Sequence, residues 1–209
     1  MKNFLDKIFF RSNNLDYISQ SIKDLTQKTP AHKIFKALST YSLESEVRYV
    51  GGCIRKIISQ ENVDDIDLAT NLEPKQVCEA LKNNNINLFE SGIDHGAITA
   101  LDDKYKFEIT TLRKDISTDG RHAKVEFSLD WKEDAARRDF SINSIYSDKD
   151  GNLFDPYNGK KDLENGNINF IGDAENRIKE DYLRILRYVR FFINYSNQGH
   201  DLKIIKIIK

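Results

Sequence analysis

Cysteine and histidine are scarce in this 209-residue chain: Cys53 and Cys78 stand 25 positions apart with no CxxC spacing, and His32, His95, His122 and His200 are scattered. Neither a disulfide scaffold nor a structural zinc site fits that pattern. An excess of one charge is also lacking, since 32 Lys and Arg face 33 Asp and Glu for a net charge of -1. A strongly basic nucleic-acid coat and an acidic disordered chain are both excluded. Long apolar runs are missing too. Met1 to Arg11 holds Phe4, Leu5, Ile8, Phe9 and Phe10, but charges interrupt it and no small-residue cleavage site follows. Neither a signal peptide nor a membrane span is expected, and the expected setting is the cytoplasm, with reduced thiols. What charge there is lies unevenly: from Arg177 onward eight basic residues face three acidic ones, a local surface suited to a polyanion.

Along the chain the hydrophobic pattern breaks into short elements. Residues 1–29 read as a helical extension. Pro30 can open a helix over Ala31 to Tyr41, where Ile34, Phe35 and Leu38 recur at helical spacing. Val47 to Val50 reads as a strand, Gly51-Gly52 as a turn, Cys53 to Ser59 as a short helix and Asp65 to Ala69 as a second strand. A capped helix is expected over Pro74 to Lys82, then strands at Ile86 to Phe89, Gly96 to Leu101 and Lys106 to Leu112. Residues 113–126 are polar and mixed in charge, which predicts a mobile loop. From Lys179 to Ile193 one helix is expected, with Tyr182, Ile185, Leu186, Val189 and Ile193 on one stripe and Glu180, Asp181, Arg184, Arg187 and Arg190 on the other side. Lys203 to Lys209 reads as a helix cut short.

Two groups of residues could carry chemistry. In the first, a strand leads through Gly51-Gly52 into a helix bearing Arg55, and Asp65-Ile66-Asp67 follows on the next strand. Glycines let the backbone approach a phosphate, and a helix start offers free N–H groups. Side chains on a strand alternate, so Asp65 and Asp67 share a face about 7 Å apart, a seat for Mg²⁺. Read alone, the pair would be a solvated strand edge. Glu108 supplies a third carboxylate if its strand neighbours that of Asp67. The second group is Arg137-Arg138-Asp139 with Asn143 one helical turn on, which suits a triphosphate and a ribose or, equally, a salt-bridged helix start. His95 and Trp131 read as structural.

In order, the chain presents Val50-Gly51-Gly52-Cys53-Ile54-Arg55, Asp65-Ile66-Asp67-Leu68-Ala69-Thr70, Glu108-Ile109-Thr110-Thr111-Leu112-Arg113, Asp119-Gly120-Arg121-His122, Arg137-Arg138-Asp139-Phe140-Ser141-Ile142-Asn143, Asp155-Pro156-Tyr157-Asn158-Gly159 and Glu180-Asp181-Tyr182-Leu183-Arg184-Ile185-Leu186-Arg187. From Ala31 to Tyr195 this set resembles the class II tRNA nucleotidyltransferases and bacterial poly(A) polymerases of the polymerase-β superfamily. The resemblance implies an α+β fold: a nucleotidyltransferase head, with a small, twisted mixed sheet and helices, and then the start of an all-helical neck. It implies that Asp65 and Asp67 bind two catalytic Mg²⁺ ions with Glu108 as the third acidic residue. Gly51, Gly52, Arg55, Arg138, Asp139 and Asn143 would hold the nucleotide, and Glu180, Asp181, Arg184 and Arg187 would lie at its base, Asp181 and Arg184 pairing to the base edge. The implied substrates are the tRNA 3′ end, CTP and ATP. One ion would lower the pKa of the 3′-hydroxyl and the other would stabilise the leaving pyrophosphate.

The resulting division is an extension over 1–29, a head over 30–154, and a hinge with the start of the neck over 155–209. Lys56 stands where relatives usually have Asp, Asn158 where glycine is frequent, and Ser141 where threonine is usual. Relatives continue into helices that grip tRNA, so the chain reads as truncated after the first neck helix. Addition of C and A to tRNA is the expected activity, with A, CC or poly(A) addition as alternatives. A reading of another class is a nucleotide-binding fragment or assembly subunit without turnover of its own. A homo-oligomer or a partner chain would then supply the missing half, and no membrane is involved.

Overall fold

A computed structural model describes residues 14–119 and 122–208. The apolar cluster of Met1 to Arg11, and Gly120-Arg121 of the Asp119 to His122 motif, lie outside the described residues. The order is α1 (Asn14–Lys28), α2 (Ala31–Ser39), β1 (Val47–Val50), α3 (Gly52–Ile58), β2 (Ile66–Thr70), α4 (Pro74–Asn83), β3 (Asn87–Gly92), β4 (Ala97–Asp102), β5 (Tyr105–Thr111), β6 (Arg113–Asp119), β7 (His122–Phe127) and α5 (Trp131–Ala136). Then come β8 (Tyr146–Ser147), β9 (Leu153–Phe154), α6 (Gly159–Asn165), α7 (Ala174–Glu180), α8 (Leu183–Tyr195) and α9 (Leu202–Ile208).

Seven strands form one mixed sheet, ordered β3-β4-β5-β2-β1-β8-β9. Strands β2 and β5 run parallel and every other registered pair in it is antiparallel. Alternation divides the side chains between two cores. Tyr49, Leu68, Phe107 and Ile109 enter the larger one, beneath the helices, with Ile34 and Leu38 of α2, Ile54 of α3 and Leu81 of α4. Val50, Ala69, Leu112, Trp131, Ala135 and Tyr146 form the smaller one on the opposite face. Helix α4 starts as its sequence requires, with Glu73 and Gln76 in a reciprocal capping box and Pro74 in the first turn. Helix α1 is woven into the larger core rather than standing off it. Its Ile18 and Ile22 are fully buried, each worth about 1.5–3 kcal/mol, and Thr26 Oγ1 lies 2.8 Å from the buried Tyr49 hydroxyl.

Three expectations need correction. Residues 113–126 are a hairpin, β6 and β7, with Arg113 opposite Phe127 and Asp119 opposite His122. Antiparallel pairing satisfies the backbone N–H and C=O groups of this segment, so its polar composition does not require a loop. The single helix expected from Lys179 to Ile193 is two, broken at Asp181, whose backbone is extended (φ -155, ψ 106). There the Asp181 carboxylate accepts the Leu183 N–H at 2.9 Å, a local bond that competes with continued helix and opens α8. The face of α8 turned inward is also not the expected one. Tyr188 and Phe191 are buried against Phe140 and Phe170, while Tyr182, Leu186 and Ile193 are 69%, 67% and 73% exposed.

Candidate active site

The turn between β1 and α3 lies beside Asp67, Arg55 and Arg138. Gly51 has φ 69 and ψ -121, a conformation that side chains rarely adopt, and donates its N–H to Ile145 O at 3.2 Å. A Cβ there would lie 3.5 Å from Arg138 Nη1, and one on Gly52 would lie 3.6 Å from Asp67 Oδ2 and 3.8 Å from Arg55 Nη2. The two glycines thus leave open the space that Asp67, Arg55 and Arg138 surround.

The carboxylates come from adjacent parallel strands. Ile66 and Leu68 of β2 point into the large core, which turns Asp67 to the other face, and the register sets Asp67 opposite Glu108 of β5. Asp65 is exposed one residue before β2 begins. Burial raises the pKa of Asp67, and the charge of Glu108 raises it further; Arg138 opposes this, Asp65 adds to it, and Arg55 also opposes it. These groups therefore share one electrostatic site. Among the described residues no three carboxylate, imidazole or thiol groups close a ready-made metal cage. Mg²⁺ does not need one, because it is usually held by one or two carboxylates together with substrate phosphates. Lys56 points elsewhere and pairs with Asp64 at 2.9 Å.

Facing the carboxylates is the turn that follows α5. Arg138 is held by Asp134, from Nη2 at 3.1 Å, and by the Tyr146 hydroxyl, from Nε at 2.9 Å, while Nη1 reaches Asn143 O at 3.5 Å. Tyr146 donates its own proton to Asp134 at 2.6 Å, and Arg137 donates from Nε at 2.8 Å. Burial alone would raise the pKa of Asp134, but the charges of Arg138 and Arg137 and the Tyr146 bond pull it down to about 2. Asp139 accepts from Asn143 Nδ2 at 3.1 Å and from Arg187 Nε of α8 at 2.6 Å. Arg55 donates to Asn143 Oδ1 and stacks over Phe191, with its guanidinium carbon 4.8 Å from the ring centre. Bonds thus run from Arg55 through Asn143 and Asp139 to Arg187, across three elements.

Of the residues expected at the base, Glu180 and Arg184 are joined at 2.6 Å. Asp181 meets Arg184 through the backbone, its carbonyl accepting the Arg184 N–H at 3.0 Å, while its carboxylate accepts the Leu183 N–H at the start of α8. The hinge motif is a capped helix start. Asp155 accepts the N–H groups of Gly159 and Lys160 at 2.7 and 2.9 Å, and Asn158 takes the left-handed conformation (φ 56) that glycine would favour. Trp131 is buried edge-on against Tyr146, whereas His95 is exposed. Sequence reasoning missed Asp134, Tyr146 and Arg177. Asp134 left a signal in its spacing of three and four residues from Arg137 and Arg138, and Arg177 in its spacing of three from Glu180.

A family model described as the poly A polymerase head domain matches residues 47–169, which takes in the glycine turn, all three carboxylates and the Arg138 turn. The chain belongs to the poly A polymerase head-domain family. Among curated members, the human CCA tRNA nucleotidyltransferase 1, mitochondrial, is 46% identical over 169 residues, 76% of this chain and 39% of the human protein. The CCA-adding enzyme of Lactobacillus johnsonii is 38% identical over 148 residues, 70% of this chain and 36% of that one. The crystal structure of the Bacillus stearothermophilus CCA-adding enzyme in complex with CTP superposes with a TM-score of 0.73 at 27% identity, covering 85% of this chain and 42% of that one. The α+β head is thus shared, and the chain spans about two-fifths of the length of these relatives. Among the described residues no helix is long and apolar enough to cross a membrane.

Proposed function

We propose that this chain is the catalytic head of a nucleotidyltransferase that adds C and A to tRNA 3′ ends from CTP and ATP. The observation that carries this reading is the register of Asp67 opposite Glu108, with Asp65 exposed just before the strand, beside a glycine turn that puts no side chain between Asp67, Arg55 and Arg138. Burial and, after it, the charge of Glu108 raise the proton affinity of Asp67, and a divalent ion between the two carboxylates would relieve their repulsion. Asp65 and Asp67, with Glu108 beside them, would hold Mg²⁺. Bound there, the metal supplies positive charge to the attacking hydroxyl and to the leaving pyrophosphate. Gly51 and Gly52 admit the triphosphate, while Arg55 and Arg138 add charge at its edge. Asp139 and Asn143, already bonded to each other, meet the sugar. Glu180, Asp181, Arg184 and Arg187 lie on the α7–α8 side, where the base is read. Positioning and electrostatics carry most of such a reaction.

The tRNA would have to be gripped beyond this head. The exposed Tyr182, Leu186 and Ile193 of α8 support a covering partner, either a second copy or a helical chain, and so favour the second reading, an assembly subunit. The free thiols of Cys53 and Cys78 agree with a reducing compartment such as the cytoplasm. The test supplies the chain and Mg²⁺ with tRNA transcripts ending before, within or just short of CCA, and with labelled CTP and ATP singly and together. Products that stop at a completed CCA support the proposal. Stopping at CC, or adding only the last A, would replace it with a narrower activity, and a long A ladder with poly(A) polymerase. Nucleotide binding without incorporation would favour the subunit reading.

A further inference from the structure

We infer that Arg177 is a positioning residue for base selection: it fixes the α7–α8 junction, where the base would be read, at a set distance from the turn that would hold sugar and phosphate. The inference rests on the nucleotide reading above. Arg177 sits on α7 and its side chain is 13% exposed. From Nη2 it donates to Arg138 O at 2.7 Å and also to Arg137 O, two carbonyls at the C-terminal end of α5. From Nη1 it donates to Glu180 Oε2 at 2.6 Å. Arg184 closes the ring, with Nη1 2.6 Å from the same Glu180 oxygen and 2.7 Å from Arg177 O.

One guanidinium therefore spans the two halves of the candidate site. On one side it holds the backbone of Arg138, next to Asp139. On the other it holds Glu180, and through it Arg184. The planar fork of arginine can meet two carbonyls and a carboxylate at once; a lysine ammonium is a point charge that cannot bridge them in a fixed geometry. A cation at the carbonyl end of α5 is also favoured by the helix dipole. The other links between the halves, Arg187 to Asp139 and the packing of Tyr188 and Phe191 on Phe140, lie further along α8, so the bonds of Arg177 are the ones made from α7 beside the junction.

Triphosphate and sugar contacts come from the head, so they should survive a change at Arg177. Contacts at the base should not. The experiment measures the affinities of CTP, ATP, UTP and GTP for the full chain and for Arg177→Lys and Arg177→Gln by equilibrium dialysis with Mg²⁺, with thermal unfolding recorded alongside. Partial unfolding scales all four affinities by one factor, so their ratio reports on the folded molecules. The expected result is a preference for CTP and ATP in the unaltered chain that falls about tenfold in both variants, a change of one well-aligned interaction, with triphosphate affinity largely kept. Variants that keep the preference would overturn the inference. So would failure of both variants to fold, which would make Arg177 a structural residue only. If the unaltered chain binds all four nucleotides alike, or none, the nucleotide reading itself fails and the inference with it.

Discussion

Replacing Asp134 by Asn should unfold the protein at a much lower temperature, because its carboxylate is the hub of the Arg138 turn. Asp134 is 1% exposed and is bonded to the Tyr146 hydroxyl at 2.6 Å, to Arg137 Nε at 2.8 Å, to Arg138 Nη2 at 3.1 Å and to the Arg113 N–H at 3.3 Å. Asn keeps the shape and removes the charge, which leaves the Arg138 guanidinium buried without its counter-ion. Breaking a buried pair from one side costs about 3–5 kcal/mol. For a chain of this size each kcal/mol moves Tm by roughly 2–4 °C, so a fall of roughly 6–20 °C is expected. Tyr146→Phe removes one hydrogen bond to the same charged group and should cost about 1.5–3 kcal/mol. Because both changes act on one network, the double variant should lose less than the two single losses added together. The pH dependence has a definite sign. The folded pKa of about 2 lies below the ordinary carboxylate value of 3.8, so the unfolded chain binds the proton more readily. This part of the stability is complete above pH of about 4 and is lost as pH falls toward about 2, and Asp134→Asn should flatten that slope. Thermal unfolding followed by circular dichroism from pH 7 down to 2 measures both effects. A loss below about 1 kcal/mol, or an acid slope unchanged in Asp134→Asn, would refute the reasoning.

Three further outcomes are expected. Burial and Glu108 raise the pKa of Asp67, so its ionised form costs stability at neutral pH; Asp67→Asn should raise the Tm of metal-free protein and reduce the gain in Tm on adding Mg²⁺, and an unchanged response to Mg²⁺ would contradict this. Gly159→Ala would put its Cβ 2.0 Å from Ser141 O, whereas Gly172 has nothing within 4 Å, so in denaturant titrations Gly159→Ala should lose several times more stability, with Gly172→Ala near 1 kcal/mol from its backbone alone. Leu186→Lys on the exposed face of α8 should change stability by no more than about 0.5 kcal/mol but weaken any self-association seen by sedimentation; a large loss of stability would mean that Leu186 is buried within the chain.

The strand, glycine turn, helix and second strand from Val47 to Thr70 were legible because apolar residues alternate there with a period of two and the turn carries Gly51-Gly52. That Asp67 and Glu108 meet was legible only as a condition. Pairing of β2 with β5 joins residues 41 positions apart, and nothing local to either strand specifies the neighbour or its direction. The break at Asp181 was hidden because the helical period runs on through it; what ends α7 is a bond from the Asp181 carboxylate to Leu183, which periodicity cannot register. The outward face of α8 was misread for a related reason. Large aliphatic residues look like core, but the aromatic Tyr188 and Phe191 find Phe140 and Phe170 and decide which side turns in. The hairpin of β6 and β7 escaped notice because its sequence is mostly polar and mixed in charge, with no clear apolar alternation. Asp134 escaped because an acidic residue is seldom buried and its Tyr146 partner arrives on another element. Arg177 left little trace, since its bond to Glu180 is an ordinary pair three residues apart and its other acceptors are carbonyls 39 and 40 positions away.

The central claim is that the carboxylates above the Gly51-Gly52 turn transfer a nucleotide. It is tested most directly by supplying the 209-residue chain with Mg²⁺, labelled CTP and a tRNA ending just before CCA, beside Asp67→Ala protein shown by circular dichroism to be folded. The unaltered chain is expected to extend the tRNA by C and the variant is not. Near-equal extension by a well-folded Asp67→Ala protein would contradict it.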